Sequence, residues 1–300
     1  MPSLADVASF DALHDDPTAW RRHMVALAAE HGVAAADVAQ EREGTVLVAR
    51  LGADRVLKLY PPFLRDHFEF ELALLDRLHG RLSLSTPRLL ASGEHDGWPY
   101  LLMSQLAGEP LTQTWLLMRE PQRLDLLAAL GALAAEVHAL PVADMAALAP
   151  SWSEFIARQR EGCAGRQQRT GLPEHLLEAL PDFIAGELPQ GPPVILTGEY
   201  TPMNLFTVDG RLAAMFDFGD GLVGPRETDW LGPLCFLAAG DAQRIAAFFE
   251  GYGARWHGGL RLKLLRLLLL HRYSNLHAQI KCDGWQHCQS FEELAAYIWP

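Results

Sequence analysis

The segment Glu199-Tyr-Thr-Pro-Met-Asn204, with Asp217-Phe218-Gly219 downstream of it, holds the side chains best suited to chemistry. A carboxylate at 199 can orient or deprotonate an acceptor hydroxyl, and the amide at 204 and carboxylate at 217 are the hard oxygen donors that Mg²⁺ accepts beside phosphate oxygens. Phosphoryl transfer from ATP asks for little more than such positioning and charge neutralisation. Lys58 lies in the apolar run Val56-Leu-Lys-Leu-Tyr60, where an ammonium is costly to bury unless anions surround it. Phosphates and a helix carboxylate are its expected partners. Glu71, just before the apolar face Leu72, Leu75 and Leu78, is the expected carboxylate, with Glu69 as the alternative. Singly these are weak signals, because a strand lysine often snorkels and D-F-G can fall in any turn. Order and spacing carry the reading.

The elements that must position them follow from periodicity and punctuation. Asp16-Pro17-Thr18 opens a helix over 19–30 with the stripe Trp20, Met24, Leu27 and Ala28. Residues 46–50 and 55–60 read as a hairpin stopped by Pro61-Pro62, 68–78 as a helix, and 87–92 and 98–103 as two further strands. Met103-Ser104-Gln105 then form a linker whose backbone amide and carbonyl can pair with adenine. Gly44 marks the turn where a phosphate-covering loop would lie, and Val46, Val56, Met103, Leu205 and Phe216 are candidate apolar walls. Beyond Gly108-Glu-Pro110 the chain turns helical: 122–140, 153–159 and 174–180, with a Gly- and Gln-rich loop between the last two. Short strands at 194–196, 205–208 and 212–216 flank the chemical motif, and helices fill the chain from Asp229 onward. The expected fold class is α+β and bilobal, with an N-terminal lobe over 1–105 and a C-terminal lobe over 106–300.

Three hundred residues with 49% hydrophobic and 21% charged side chains are a globular balance. The formal net charge of −12 argues against a nucleic-acid partner and for a cationic or neutral ligand. The start lacks a secretory pattern, and the greasy run 260–270 is interrupted by Arg261, Lys263 and Arg266, so no membrane role is expected. Cys163, Cys235, Cys282 and Cys288 lack framework spacing, which fits a reducing cytoplasm. His271, His277, Cys282, His287 and Cys288 match no compact metal-ligand pattern. Trp152, Trp230, Trp256 and Trp285 are candidates to stack on a substrate, against the ordinary reading as packing residues. P-loop and nucleophile-elbow motifs are absent from the sequence.

V-L-K-L-Y (56–60), P-R-L-L-A-S-G (87–93), W-P-Y-L-L-M (98–103), L-G-A-L-A-A-E-V-H (130–138), T-G-E-Y-T-P-M-N (197–204) and F-D-F-G-D (216–220) together span most of the chain. In these it resembles the aminoglycoside phosphotransferase family of the protein-kinase-like superfamily, its hygromycin-B-kinase-like members in particular. The resemblance implies a small antiparallel-sheet lobe, a mainly helical lobe, and ATP or GTP with Mg²⁺ as cofactors. It implies that Lys58 binds the α/β-phosphates, Glu71 orients it, Asn204 and Asp217 hold magnesium, and Asp229 buttresses the catalytic loop. Glu199 would serve the acceptor, a small-molecule hydroxyl such as an aminoglycoside's. The family writes H-G-D-x-x-x-x-N where this chain has Thr197 and Glu199. The extra methylene shifts the carboxylate by about an ångström, and a misplacement of that size can cost on the order of a hundredfold in rate. A degenerate nucleotide- or metabolite-binding protein, or a kinase for another amino alcohol or sugar, is the competing reading.

Overall fold

Two helices lead the chain in the structure, a computed structural model that describes residues 7–41, 44–198 and 200–300: α1 (Val7–His14) and α2 (Pro17–Glu30). The Asp16 carboxylate caps α2 by accepting from the N–H groups of Thr18 and Ala19. Then come β1 (Val38–Glu41), β2 (Leu47–Leu51), β3 (Arg55–Leu59), α3 (Arg65–Leu78), β4 (Leu89–His95) and β5 (Trp98–Ser104). The strands pair antiparallel in the order β1-β2-β3-β5-β4. Strand β1 escaped the sequence reading because only Val38 of its four residues is buried, as befits an edge.

The two-residue period of strands sorts the sheet into two faces. Leu47, Ala49, Leu57, Leu59, Trp98 and Leu102 form one core with Trp20, Met24 and Leu27 of α2. Register puts Val48, Lys58 and Leu101 side by side on the opposite face, with Val56 opposite Met103. The sheet thus places a lysine on the face turned from its own hydrophobic core. These elements, through Arg81 and over Ser85–Ala107, form one compact unit, and Leu82–Leu84 with Gly108–Pro300 form the second.

The second unit is mainly helical. It contains β6 (Glu109–Pro110), α4 (Leu111–Thr114), α5 (Glu120–His138), α6 (Trp152–Arg169), α7 (Glu174–Ala185), β7 (Val194–Leu196), β8 (Leu205–Val208), β9 (Arg211–Met215), β10 (Leu222–Gly224), α8 (Leu231–Phe236), α9 (Ala242–Tyr252), α10 (Arg261–Leu270), α11 (Leu276–Gln279) and α12 (Phe291–Ile298). Strands β6, β8 and β9 form one small sheet, and β7 with β10 a ribbon. An antiparallel N-terminal sheet followed by a helical remainder is the expected α+β class. Helix α10 buries Leu264, Leu265, Leu267, Leu268, Leu269 and Leu270, and no helix among the described residues is long and apolar enough to cross a membrane.

Two expectations are corrected here. The Gly- and Gln-rich stretch after 159 is not a loop, because α6 continues through it to Arg169. Gly162 and Gly165 face only arginine side chains, while Cys163 and Gln167 are buried one turn apart. Gln167 Nε2 donates to the Leu269 carbonyl at 3.1 Å and to Ser274 Oγ at 2.8 Å. A capping box between Ser151 and Glu154 starts the helix, and these gains outweigh the glycine penalty of about 1 kcal/mol each. Helix α7 likewise runs past Leu180 and through Pro181 to Ala185.

Helices α5 and α9 cross in backbone contact. A Cβ on Gly131 would lie 2.1 Å from the Phe248 carbonyl oxygen, and one on Gly251 would lie 1.8 Å from that of Ala128. Neither oxygen can yield as a side chain could. Replacing either glycine with alanine should destabilise the protein by about 2 kcal/mol or more. Urea unfolding should show a lower midpoint at an unchanged slope; an unmoved midpoint would mean that the helices separate easily.

Candidate active site

Lys58 and Glu71 meet as the strand and helix periods require. Lys58 Nζ lies 2.8 and 3.0 Å from the two Glu71 carboxylate oxygens, and the residues are 6% and 1% exposed. Tyr60 has the same strand parity as Lys58, and its hydroxyl donates to Glu71 Oε2. Burial makes this ion pair costly to form but far costlier to break, about 3–5 kcal/mol when one partner is removed. Glu71 thereby holds the ammonium on the Val48–Leu101 face of the sheet, where Met103, 3% exposed, also lies. The linker residues are partly committed already. Ser104 N–H donates to the Arg88 carbonyl and Gln105 N–H to the Asp54 carbonyl at 2.8 Å. Gln105 therefore has its carbonyl rather than its amide to offer, and its buried Oε1 has no partner among the described residues. Gly44 has φ of +117°; the neighbouring Arg42 and Glu43 lie outside the described residues.

In the second unit the β8–β9 hairpin brings Asn204 and Asp217 together. Leu205 pairs with Met215, and the Phe216 N–H donates to the Asn204 carbonyl at 3.1 Å, closing the open end of the hairpin. Asn204 immediately precedes that pairing, and Asp217 follows it by two residues. Asp217 adopts φ of +69°, a left-handed conformation that costs a non-glycine residue on the order of 1 kcal/mol. Phe218, fully buried, anchors the turn. Two hard oxygen donors at one hairpin end suit a magnesium ion. Glu199, the expected catalytic residue, lies outside the described residues, and Thr197 and Gly198 lead into it.

Those neighbours are held by Asp229. Its Oδ1 accepts from Gly198 N–H at 2.9 Å, and its Oδ2 accepts from Thr197 N–H at 3.0 Å. His138 Nε2 lies 3.1 Å from the same Oδ2, and His138 Nδ1 lies 2.9 Å from the Tyr252 hydroxyl. Gly198 is required twice over: its φ is +78°, and a Cβ there would come within 3.0 Å of the Asp220 carbonyl oxygen. Asp220 in turn accepts from Arg272 Nη1 at 2.9 Å and from the Tyr273 hydroxyl at 3.1 Å. Sequence reasoning gave neither His138 nor Asp220 a role, although both stood in quoted motifs. Their partners are more than fifty residues away, so only the fold reveals the pairing.

Beside the 198–203 segment opens a cavity of about 730 Å³ lined also by residues of α8 and of the stretches 112–123 and 271–281. Trp115 lines it, with the Arg123 and Arg244 guanidiniums 5.2 and 5.6 Å from its ring. Both arginines are tied to Glu120: Arg244 donates twice at 2.6 Å and holds that carboxyl below its ordinary value, and Arg123 Nη1 lies at 3.4 Å. None of the four candidate tryptophans lines this cavity; Trp230 and Trp285, each 2% exposed, are packing residues. The C-terminal histidines and cysteines do not assemble either. His277 Nε2 lies 3.1 Å from the Gly171 carbonyl oxygen, and the four cysteines are free. The group of three potential metal ligands that comes together among the described residues is His23, His95 and Asp96.

The sequence profile of the phosphotransferase enzyme family (APH) matches residues 36–265. No curated protein matches the chain. Solved structures of like fold include a ternary complex of the aminoglycoside phosphotransferase APH(2")-IIa with streptomycin and ATP, at 18% identity, covering 81% of this chain and 89% of that one, with a TM-score of 0.62. The GDP complex of wild-type aminoglycoside 2'-phosphotransferase-IIIa gives 18% identity, coverage of 86% and 91%, and a TM-score of 0.64. The apoenzyme of macrolide 2'-phosphotransferase MphH from Brachybacterium faecium gives 21% identity, coverage of 88% and 99%, and a TM-score of 0.59. Identities this low establish a shared fold.

His271, on the cavity wall, generates a pH expectation. Burial, with Arg272 and Arg166 nearby, pushes its pKa down from 6.5 to about 4. The Tyr273 N–H donates to its Nδ1 at 3.3 Å, a bond that only the neutral ring can accept. The unfolded chain therefore takes up this proton at higher pH than the folded one. Its stabilising contribution is complete above pH 6.5 and is lost as pH falls toward 4. In urea titrations the midpoint should fall over that window by more for the native chain than for His271→Gln, and parallel profiles would discount the group.

Proposed function

The chain belongs to the phosphotransferase enzyme family, and from that membership we propose that it transfers the γ-phosphate of ATP, with GTP as the alternative donor, to a hydroxyl of a small molecule. The observation that supports the reading is the placement of Asn204 and Asp217 at one hairpin end, where the Phe216 N–H donates to the Asn204 carbonyl, together with the loop that Asp229 holds. Lys58, fixed by Glu71 and Tyr60, would take the charge of the nucleotide's phosphates. Met103 would face the base, and the Gln105 carbonyl would accept from it. Asn204 and Asp217 fit a magnesium ion by donor type and placement, and such an ion would neutralise charge on the phosphates. Glu199 would accept or orient the acceptor's hydroxyl proton.

The geometry around position 197 bears on the family's missing histidine. Thr197 is fully buried, its N–H is bound by Asp229, and an imidazole reaches that carboxylate from His138 of α5. The loop is thus pinned without a histidine of its own, which favours a working site over a degenerate one that only binds nucleotide. An aminoglycoside acceptor is consistent with the net charge of −12, as are other amino alcohols and sugars.

Multiple-turnover transfer from radiolabelled Mg-ATP, run over an acceptor panel, tests the proposal. Asp217→Asn and Lys58→Met should each lower turnover by about a hundredfold or more. Glu199→Gln should depress it similarly, and Glu199→Asp should preserve or raise it. Nucleotide binding without turnover in the native chain would leave the degenerate reading standing, and full activity in Asp217→Asn would end the proposal.

A further inference from the structure

The cavity beside the 198–203 segment has a chemical character that the net charge conceals. Among its described lining residues the charged side chains are Arg123, Arg244, Lys281 and Asp229. Three are cations. The one carboxylate is spent, since both Asp229 oxygens already serve Thr197, Gly198 and His138. Glu120 binds both guanidiniums and leaves no oxygen pair to spare for an incoming ammonium. Lys281 is exposed at the rim, its Nζ 5.8 Å from the Phe236 ring, and Asp229 is the one carboxylate among the described lining residues.

The remaining walls are apolar. Trp115, Leu116, Met203, Phe236 and Leu237 line the space, and Leu116 and Met203 are 76% and 49% exposed. Large apolar side chains held open to water on a cavity wall gain free energy when an apolar surface covers them, about 25 cal/mol for each square ångström. An ammonium entering the same space would lose hydration, would meet among the described lining residues no carboxylate with an oxygen to spare, and would face Lys281. A polyamine sugar brings several such groups at once.

Resting on the phosphotransferase reading, we infer that the acceptor is an amphipathic alcohol, with a broad apolar face for Leu116, Met203 and Phe236 and an oxygen-rich edge for Lys281, rather than a polycationic aminoglycoside. The cavity's size suits a molecule of several fused or macrocyclic rings better than a small metabolite such as choline. The whole-chain charge of −12 acts at long range and is screened within about 8 Å at physiological salt. The lining decides what is held.

Calorimetric titration of the nucleotide-free protein at physiological salt with erythromycin, a hydroxylated lactone bearing one amine, and with kanamycin, a sugar bearing several, tests this. Erythromycin should bind on the order of tenfold tighter or more. Leu116→Asp, at an exposed position that should leave folding intact by circular dichroism, should weaken erythromycin binding and strengthen kanamycin binding. Lys281→Glu should also favour kanamycin. Equal or tighter binding of kanamycin by the native chain, or no measurable binding of erythromycin, overturns the inference. A parallel titration with Mg-ATP separates the two failures: absence of nucleotide binding sinks the kinase reading alone, whereas transfer to kanamycin in preference to erythromycin sinks only the acceptor assignment.

Discussion

The carboxylate of Asp229 is the constraint on which the second unit's chemistry depends. It is 2% exposed, and it accepts from two consecutive backbone amides of the loop that leads into Glu199. A buried anion survives only when its lone pairs are satisfied, and here backbone and imidazole satisfy them. The loop gains its shape from the same bonds. Because the amides belong to the main chain, the identity of the side chain at 197 matters less than the motif alone would suggest. His138 already supplies a ring nitrogen to the same oxygen that binds the Thr197 amide.

The first unit solves a similar problem with opposite charges. Leu57 and Leu59 turn into the core against α2, so strand geometry turns Lys58 the other way, toward α3. The ammonium would be intolerable there without Glu71, and Glu71 would be intolerable without Lys58 and Tyr60. Such a triad is poor at adding stability and good at fixing direction. It leaves the ammonium pre-aimed, with little conformational entropy left to lose when an anion arrives.

Much of this was legible in the residues. The lysine strand, its carboxylate helix and the Asn204–Asp217 hairpin could be placed because each combines a strong period with a chemical residue at a fixed offset. What remained hidden depends on contacts between distant segments. The role of His138 rests on a partner in a later turn, and nothing in an Ala/Leu helix announces which way its last residue points. The edge strand at Val38 and the continuation of α6 through two glycines escaped for a related reason: tertiary burial of one or two residues outvoted local propensity. The charge of the cavity wall was equally invisible, because Arg123, Arg244 and Lys281 are scattered along the chain and meet only in space.

The glycine crossing of α5 and α9 reaches further than packing. Tyr252 ends α9 at the crossing itself and touches the imidazole that ends α5, two turns beyond Gly131. With main chain packed against main chain, the two helices have little room to slide or roll past one another. The phenol and imidazole are therefore held in register like the jaws of a fixed caliper. The amide protons of these two helices should be among the slowest to exchange with heavy water, departing only when the whole unit opens.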